Sequence, residues 1–346
     1  MSNKNQPQRA KRFDLWLNRR RRNRALRRGK KPVIVPSSSY GSTAGWVRLL
    51  GRTLLLHPKS RALFVHRPEH TQVSIERGWR SFTSVPASDE TIKVIVEGEV
   101  VATTKTDDGG VLDAVIKLKL PPGRQTIQLE TSNGDLANQT VWVVDESAEF
   151  GVISDIDDTI LHTSLPSPLV AAWNSFVRSE NARSATPGMP VLLDHLASQN
   201  PGCPVIYLST GAWNVAPALT RFLQRHLYPP GPLLLTDWGP TADRWFRSGV
   251  EHKRHELRRL VREFPNVKWL LLGDDGQHDE KIYREFTEEF PDRVAAVAIR
   301  HLTLGEAVLA GGRSKAEKHK AVSGVPWVYG ADGSSLREQL SSIGLF

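Results

Sequence analysis

The stretch FGVISDIDDTILHT, Phe150 to Thr163, decides how this chain is read. A short run of apolar and small residues ends in three aspartates, Asp155, Asp157 and Asp158, within four positions. Nearly continuous apolar runs of this length suit a strand buried on both faces of a parallel sheet. Ligands of such sheets bind beyond the carboxyl ends of the strands, which is where the aspartates fall. In an extended chain, positions i and i+2 face the same way, so Asp155 and Asp157 are expected to point at one spot. Two carboxylates held together repel and lose hydration unless a cation or a shared proton relieves them. A hard divalent cation such as Mg2+, which takes oxygen ligands and keeps several waters, is the expected cofactor.

Outward from this stretch the same texture recurs. CPVIYLST (Cys203–Thr210), PLLLTD (Pro232–Asp237), VKWLLLGDD (Val267–Asp275) and RVAAVAIR (Arg293–Arg300) read as further buried strands. Between them lie helical stretches: MPVLLDHLASQ, NVAPALTRFLQRHL, HKRHELRRLVREF and DEKIYREFTEEF. Strands alternating with helices predict an α/β domain on a parallel sheet, covering residues 148–346.

The strand ends supply candidate site residues. Ser209 and Thr210 close one apolar run, and Gly211 follows; hydroxyls and a backbone N–H there suit a phosphoryl oxygen. Thr159, in the loop of the aspartates, is a further candidate substrate contact. Lys253 brings an ammonium that can neutralise charge and hold a nucleophile. Lys268 enters a strand at the opposite end. WLLLGDDGQHDEKIY offers Asp274 as first choice of metal ligand, with Asp275 and Asp279 as further candidates beside Asp155 and Asp157, one of them free to cap the next helix. Singly, each of these also suits an ordinary cap, a surface lysine or a polar loop. Together, in this order, they point to a phosphomonoester and a cation.

That order resembles the haloacid dehalogenase (HAD) superfamily of phosphoryl-transfer enzymes: DIDDT, a strand ending in serine, a later lysine, and GDDGQHD of the GD-x4-D type. The strings DIDDTILHT, TPGMPVLLDHLA, YLSTGAWN, GPLLLTDWG, HKRHEL and LLGDDGQHDEKIY are similar to the actin-patch-type phosphatidate phosphatase family, over about residues 148–305. The resemblance implies a HAD-like, Rossmann-like sheet with a small cap, preceded by a β domain. It implies Asp155 as nucleophile, Asp157 as general acid and base, Ser209 and Lys253 as holders of the phosphate, and Asp274 as the residue completing a Mg2+ site. It also implies the reaction: phosphatidate to diacylglycerol and phosphate through an aspartyl-phosphate. One departure stands out. Family members often show Ser-Pro-Trp-Asn here, whereas this chain reads STGAWN, so headgroup contacts at Gly211 and Ala212 need not carry over. The cap is expected in LPSPLVAAWNSFVRSENARSATPGM, with Trp173, Phe176 and Val177 as its apolar surface.

Residues 46–147 have a different pattern. TIKVIVEGEVVATTKT, VLDAVIKLKL, TIQLETSNG and QTVWVVD alternate apolar and polar residues, broken by DDGG and PPGRQ, which predicts an antiparallel β-sandwich. Residues 1–45 read as a basic, flexible or amphipathic tail ending in a linker, PSSSYGSTAG. Residues 1–31 hold 13 of the 46 lysines and arginines but one of the 37 acids. The tail therefore carries +12 and the remainder −3, so the overall +9 belongs to the tail. Phe13, Leu15, Trp16 and Leu17 beside Arg19–Arg22 suit an anionic membrane surface, and nucleic acid is the disfavoured partner. The single cysteine, Cys203, excludes an internal disulfide and a cysteine-based metal site. The apolar patch after the Arg-rich start is too short for an export signal. A cytoplasmic protein with peripheral membrane contact is the expectation, its oligomeric state left open. Two rival functions are a phosphatase of a soluble phosphomonoester or phosphoprotein, and a non-catalytic lipid- or nucleic-acid-binding adaptor. The full set of catalytic residue types speaks against the adaptor.

Overall fold

A computed structural model describes residues 20–57, 85–162, 184–236, 242–276, 278–309 and 321–346, without the side chains of 214, 242–248, 308 and 309. The apolar start of the tail (residues 13–17) and residues 165–183 of the expected cap lie outside this set. The chain divides into two compact units, Met1–Val143 and Val144–Phe346.

In the first unit, alternation produces an antiparallel sheet. Its strands are β1 (Lys31–Pro36), β2 (Ser39–Ser42), β3 (Trp46–Leu56), β4 (Val85–Pro86), β5 (Thr91–Val96), β6 (Glu99–Lys105), β7 (Val111–Lys117), β8 (Gly123–Thr131) and β9 (Leu136–Val144). They pair in the order β1-β3-β2-β9-β8-β5-β6, with β4 and β7 on β3. The alternating side chains Ile92 and Val94, Ile127 and Leu129, and Val141 and Val143 meet in one core. Two readings change. TIKVIVEGEVVATTKT is two strands, because Glu97 and Gly98 take φ of 51° and 87° and close a two-residue hairpin. The expected linker contains β1's end and the buried strand β2. Its small residues permit close packing: Tyr40 is fully buried edge-on to Trp46, and a side chain on Gly41 would strike the Trp46 carbonyl. Residues 20–27 are helical, and Ala25 is buried with Leu55 and Ala87. The basic segment thus ends packed rather than loose.

The second unit alternates as expected. It comprises β10 (Phe150–Ser154), α1 (Met189–Gln199), β11 (Val205–Ala212), α2 (Ala216–Arg225), β12 (Leu233–Thr236), α3 (Ala242–Glu263), β13 (Lys268–Asp274), α4 (Asp279–Glu289), β14 (Val294–Arg300), α5 (Leu304–Leu309), β15 (Ala321–Val322), β16 (Val325–Gly330) and α6 (Gly333–Ser342). The sheet order is β12-β11-β10-β13-β14-β16-β15. All neighbours whose register is known are parallel except the terminal β15–β16 pair. From β10 the chain builds outward through β11 and β12, then returns to the other side of β10 with β13. Strand order reverses between β10 and β13, and a crevice opens at such a point beyond the strand ends. The apolar runs bury completely: Val152, Leu270, Leu272 and Ala298 pack with Leu192, Leu193 and Leu219. Gly151 is small of necessity, since a Cβ there would lie 2.6 Å from the Trp269 ring on the next strand. The strand β16 and helix α6 lie beyond the sequence reading; VPWVYG is short and carries a proline, although Ser323 and Gly324, with φ of 51° and 82°, mark the turn before it.

Candidate active site

Each site residue is delivered by a strand end or the helix after it. β10 ends at Ser154, and the Asp155 N–H donates to the Leu272 carbonyl of β13 at 2.8 Å, which carries the ladder one residue further. The chain then turns sharply. Asp158 takes φ of 57°, its N–H donates to the Leu161 carbonyl at 2.9 Å, and Ile160 and Leu161 both donate to the Ile156 carbonyl at 3.1 Å. Thr159 is fully buried by this turn, and its hydroxyl lies 3.1 Å from Asp155 Oδ2 and 3.4 Å from Asp274 Oδ2.

Asp274 closes β13, and Asp279 opens α4 as its first residue, with His278 as N-cap. Neither carboxylate caps the helix by a side-chain bond, but Asp279 in the first turn faces the positive end of the helix dipole. Two glycines make the approach possible. A Cβ on Gly273 would stand 2.7 Å from both Asp279 Oδ2 and the Tyr283 ring, and one on Gly276 would collide with Asp274 Oδ1, to which the Gly276 N–H donates at 2.6 Å.

Lys253, on α3, is buried and donates from Nζ to Asp155 Oδ1 at 2.6 Å and to Asp279 Oδ1 at 2.5 Å. Among the described residues, Asp155, Asp274 and Asp279 form a group with ligand oxygens within 4.8 Å of one another. Asp157 faces Ser209, whose hydroxyl donates to Asp157 Oδ2 at 3.0 Å and accepts from the Gly211 N–H at 2.9 Å. The strand β11 does not stop at Thr210. It runs to Ala212 through an irregular register after Leu208, placing Gly211 within the strand as well. Asp275 turns to the other side of β13. Its carboxylate accepts from the Leu302 N–H at 2.8 Å and lies 2.9 Å from His301 Nδ1.

Crowding dominates the electrostatics. Burial pushes the Asp155 carboxyl well above the usual carboxylate range; Lys253 opposes this, while Asp279 and Asp157 add to it. Burial, then Asp279 and Asp155, raise Asp274 likewise. Burial alone would lower Lys253, but Asp155, Asp279 and Tyr283 carry it well above its ordinary value, so it stays an ammonium. One ammonium among these carboxylates leaves negative charge unmatched. The buried Asp279 Oδ2 has no hydrogen-bond partner among the described residues. An all-oxygen donor set with an orphaned carboxylate oxygen fits a hard divalent cation.

Several residues of this region gave no signal in the sequence. Tyr228 donates to the Ile160 carbonyl at 2.6 Å, and Arg300 donates to the Asp158 carbonyl. Both act on backbone oxygens of the turn, and a backbone partner leaves no mark in a side-chain pattern.

Comparisons with known proteins accord with this geometry. Residues 150–301 match the family profile described as phosphatidate phosphatase APP1, catalytic domain. The chain is 27% identical over 154 residues to phosphatidate phosphatase APP1 of Saccharomyces cerevisiae, an alignment covering 43% of this chain and 25% of that one. It is 22% identical over 245 residues to an uncharacterized protein of Schizosaccharomyces pombe, covering 67% of this chain and 40% of the other. The chain thus spans well under two thirds of both curated relatives. Among solved structures, chitinase ChiW from Paenibacillus covers 78% of this chain and 26% of its own at 11% identity and a TM-score of 0.18. A glycosyl hydrolase family 2 member from Bacteroides cellulosilyticus covers 80% and 36% at 10% identity and 0.22. At such scores neither bears on the fold.

Proposed function

We propose, from the match of residues 150–301 to the catalytic-domain profile of phosphatidate phosphatase APP1, that the chain is a Mg2+-dependent phosphatidate phosphatase, releasing diacylglycerol and phosphate through an aspartyl-phosphate. The observation that carries the reading is the meeting of Asp155, Asp274 and Asp279 within 4.8 Å of one another at the sheet's reversal point, with Lys253 2.6 Å from Asp155. In this reading the second unit is a HAD-like catalytic domain and the first unit a β scaffold, with residues 1–31 as a basic segment.

Asp155 attacks phosphorus in line, the bond to the leaving alcohol breaks, and an acyl phosphate forms on Asp155. Asp157 gives its proton to the departing alkoxide, then takes one from the water that hydrolyses the acyl phosphate and frees Asp155. Ser209 orients Asp157 through their 3.0 Å hydrogen bond, and Thr210 and Gly211 line the phosphoryl side. Lys253 favours the ionised, attacking form of Asp155 against the burial that opposes it, and neutralises the incoming phosphate. Thr159 keeps Asp155 and Asp274 in register. Asp155, Asp274 and Asp279 would hold Mg2+, with Asp157 contributing on the substrate side and Asp275 fixing the loop from behind. The cation supplies Lewis-acid stabilisation of the phosphoryl oxygens and screens anion from anion.

Phosphatidate enters from the family's name, and the basic segment adds support. Arg21, Arg24, Arg27, Arg28 and Lys31 are exposed around the buried anchor Ala25, as an anionic membrane surface would require of a cytoplasmic, peripheral protein. The deciding experiment is phosphate release from phosphatidate in detergent micelles, with and without Mg2+, beside lysophosphatidate and sugar phosphates. Mg2+-dependent release from phosphatidate that disappears in Asp155→Asn is the expected result. Preference for a sugar phosphate would transfer the assignment to soluble phosphomonoesters, and full activity of Asp155→Asn would remove the nucleophile.

A further inference from the structure

A buried charge that the mechanism above does not use lies at the end of β14. Arg300 is 2% exposed. Its guanidinium donates through Nη1 to the Asp158 carbonyl, through Nη2 to Glu306 Oε1 at 2.8 Å, and through Nε to the Ala331 carbonyl at 3.3 Å. Its own carbonyl accepts from the Asp275 N–H at 2.9 Å. Glu306 is fixed in turn: it accepts from the Thr303 N–H at 2.7 Å and pairs with His162 Nδ1. One side chain therefore ties together the turn after β10, the loop after β16 and the start of α5. A guanidinium out of water is costly unless paired and fully hydrogen-bonded, and the rigid fork of Arg meets these three acceptors in a way that a lysine cannot.

The acceptor of Nη1 gives the contact its meaning. Asp158 sits in the left-handed region, a conformation that a non-glycine residue keeps only when its surroundings enforce it. The inner hydrogen bonds of the turn use the Ile156 and Leu161 carbonyls. The Asp158 carbonyl belongs to the peptide leading into Thr159, and the residue before it is Asp157. Holding that carbonyl restrains ψ of Asp158 and φ of Thr159, and with the Asp158 N–H on the Leu161 carbonyl it fixes both ends of the residue that joins Asp157 to Thr159.

We propose that Arg300 is a positioning residue for the catalytic turn: through the Asp158 carbonyl it holds Asp157 and Thr159 in working orientation, and Glu306 holds Arg300. The role rests on the phosphatase reading for its kinetic consequence, but not for its structural one. If the turn loosens, the proton transfer by Asp157 suffers first. An alkyl ester needs that proton on its leaving group, whereas an ester of an acidic phenol does not.

The test uses the full chain as Arg300→Lys and Arg300→Met, with thermal melts to verify folding. The expected result is a fall in kcat on phosphatidate of about tenfold to a hundredfold with KM changed by less than about threefold, against a loss below about threefold on p-nitrophenyl phosphate. Hydrogen exchange at the amides of residues 158–161 should quicken about tenfold while β11 is unchanged. Equal losses on both esters with unaltered exchange in the turn would overturn the proposal. Should the wild type hydrolyse neither ester, the phosphatase reading fails, and the exchange result alone decides whether Arg300 holds the turn.

Discussion

Gly273 and Gly276 bracket Asp274, and a methyl group on either would displace a carboxylate. In Gly273→Ala the new Cβ meets Asp279 Oδ2 and the Tyr283 ring, both at 2.7 Å, so Asp279 must leave the group of three. The variant should stay folded, lose more than about tenfold of its activity, and no longer melt at higher temperature when Mg2+ is added. Tyr228 makes a gentler case. Its hydroxyl donates to the Ile160 carbonyl, which also accepts from the Thr186 N–H at 3.1 Å. Since the carbonyl keeps one partner, Tyr228→Phe should cost about 1 kcal/mol in chemical denaturation. Glu306 carries the clearest acid dependence. Burial opposes its ionisation, yet hydrogen bonds from Arg300 and the Thr303 N–H hold its carboxyl down to about 2, below its ordinary 4.5. The unfolded chain therefore binds the extra proton between those values. The stabilisation from this carboxylate is complete above pH 4.5 and is lost as pH falls through 2. The stability gap between wild type and Glu306→Gln should accordingly narrow over that range, and a gap independent of pH would contradict the pairing. Cys203, half-buried with its thiol pushed up to about 12, should resist alkylation at neutral pH.

At the scale of elements, local rules hold where the partner is close in sequence. The helix α6 starts with a capping box: Ser335 N–H donates to Asp332 Oδ1 at 2.9 Å, and Asp332 N–H donates to Ser335 Oγ at 3.1 Å. Asp332→Ala should destabilise the protein by about 1 kcal/mol, read as a lower melting temperature. Helix α1 matches the stretch MPVLLDHLASQ residue for residue because Gly188, in the left-handed region, stops the chain before it. Elements whose shape depends on distant chain were harder to read. The strand β3 pairs with β1, β2, β4 and β7 along its 11 residues, and no local pattern announces a strand shared four ways. The end of β11 likewise reads as a stop after Thr210, but β12 continues to pair with it at Ala212.

For the whole molecule, charge and cation binding make the measurable difference. A cation held by the three carboxylates binds only the folded chain, so Mg2+ at about a hundred times its Kd should add about 2.7 kcal/mol of stability, and Asp274→Asn should abolish that gain. The +12 of residues 1–31 against −3 for the remainder predicts binding to anionic vesicles that weakens steeply with salt. Removal of residues 1–31 should weaken it while leaving hydrolysis of a soluble ester unchanged, and equal binding by both forms at low salt would reject the tail as the membrane contact. No helix among the described residues is long and apolar enough to cross a membrane.

The sequence by itself determined the alternation of strands and helices after residue 148, the edge of the sheet where the acids gather, and the residue types at each strand end. Those features are written in runs of neighbouring residues, because burial on two faces demands continuous apolar strands and tight turns demand glycine. The tertiary structure decided which acids face one another. Asp155 meets Lys253 across 98 positions of chain, Thr159 reaches Asp274 across 115, and Arg300 finds the Asp158 carbonyl across 142. Asp275, one residue past the end of β13, is drawn away by the Leu302 N–H and His301. Contacts of that span depend on strand order and register, and these are settled only when the whole sheet is assembled.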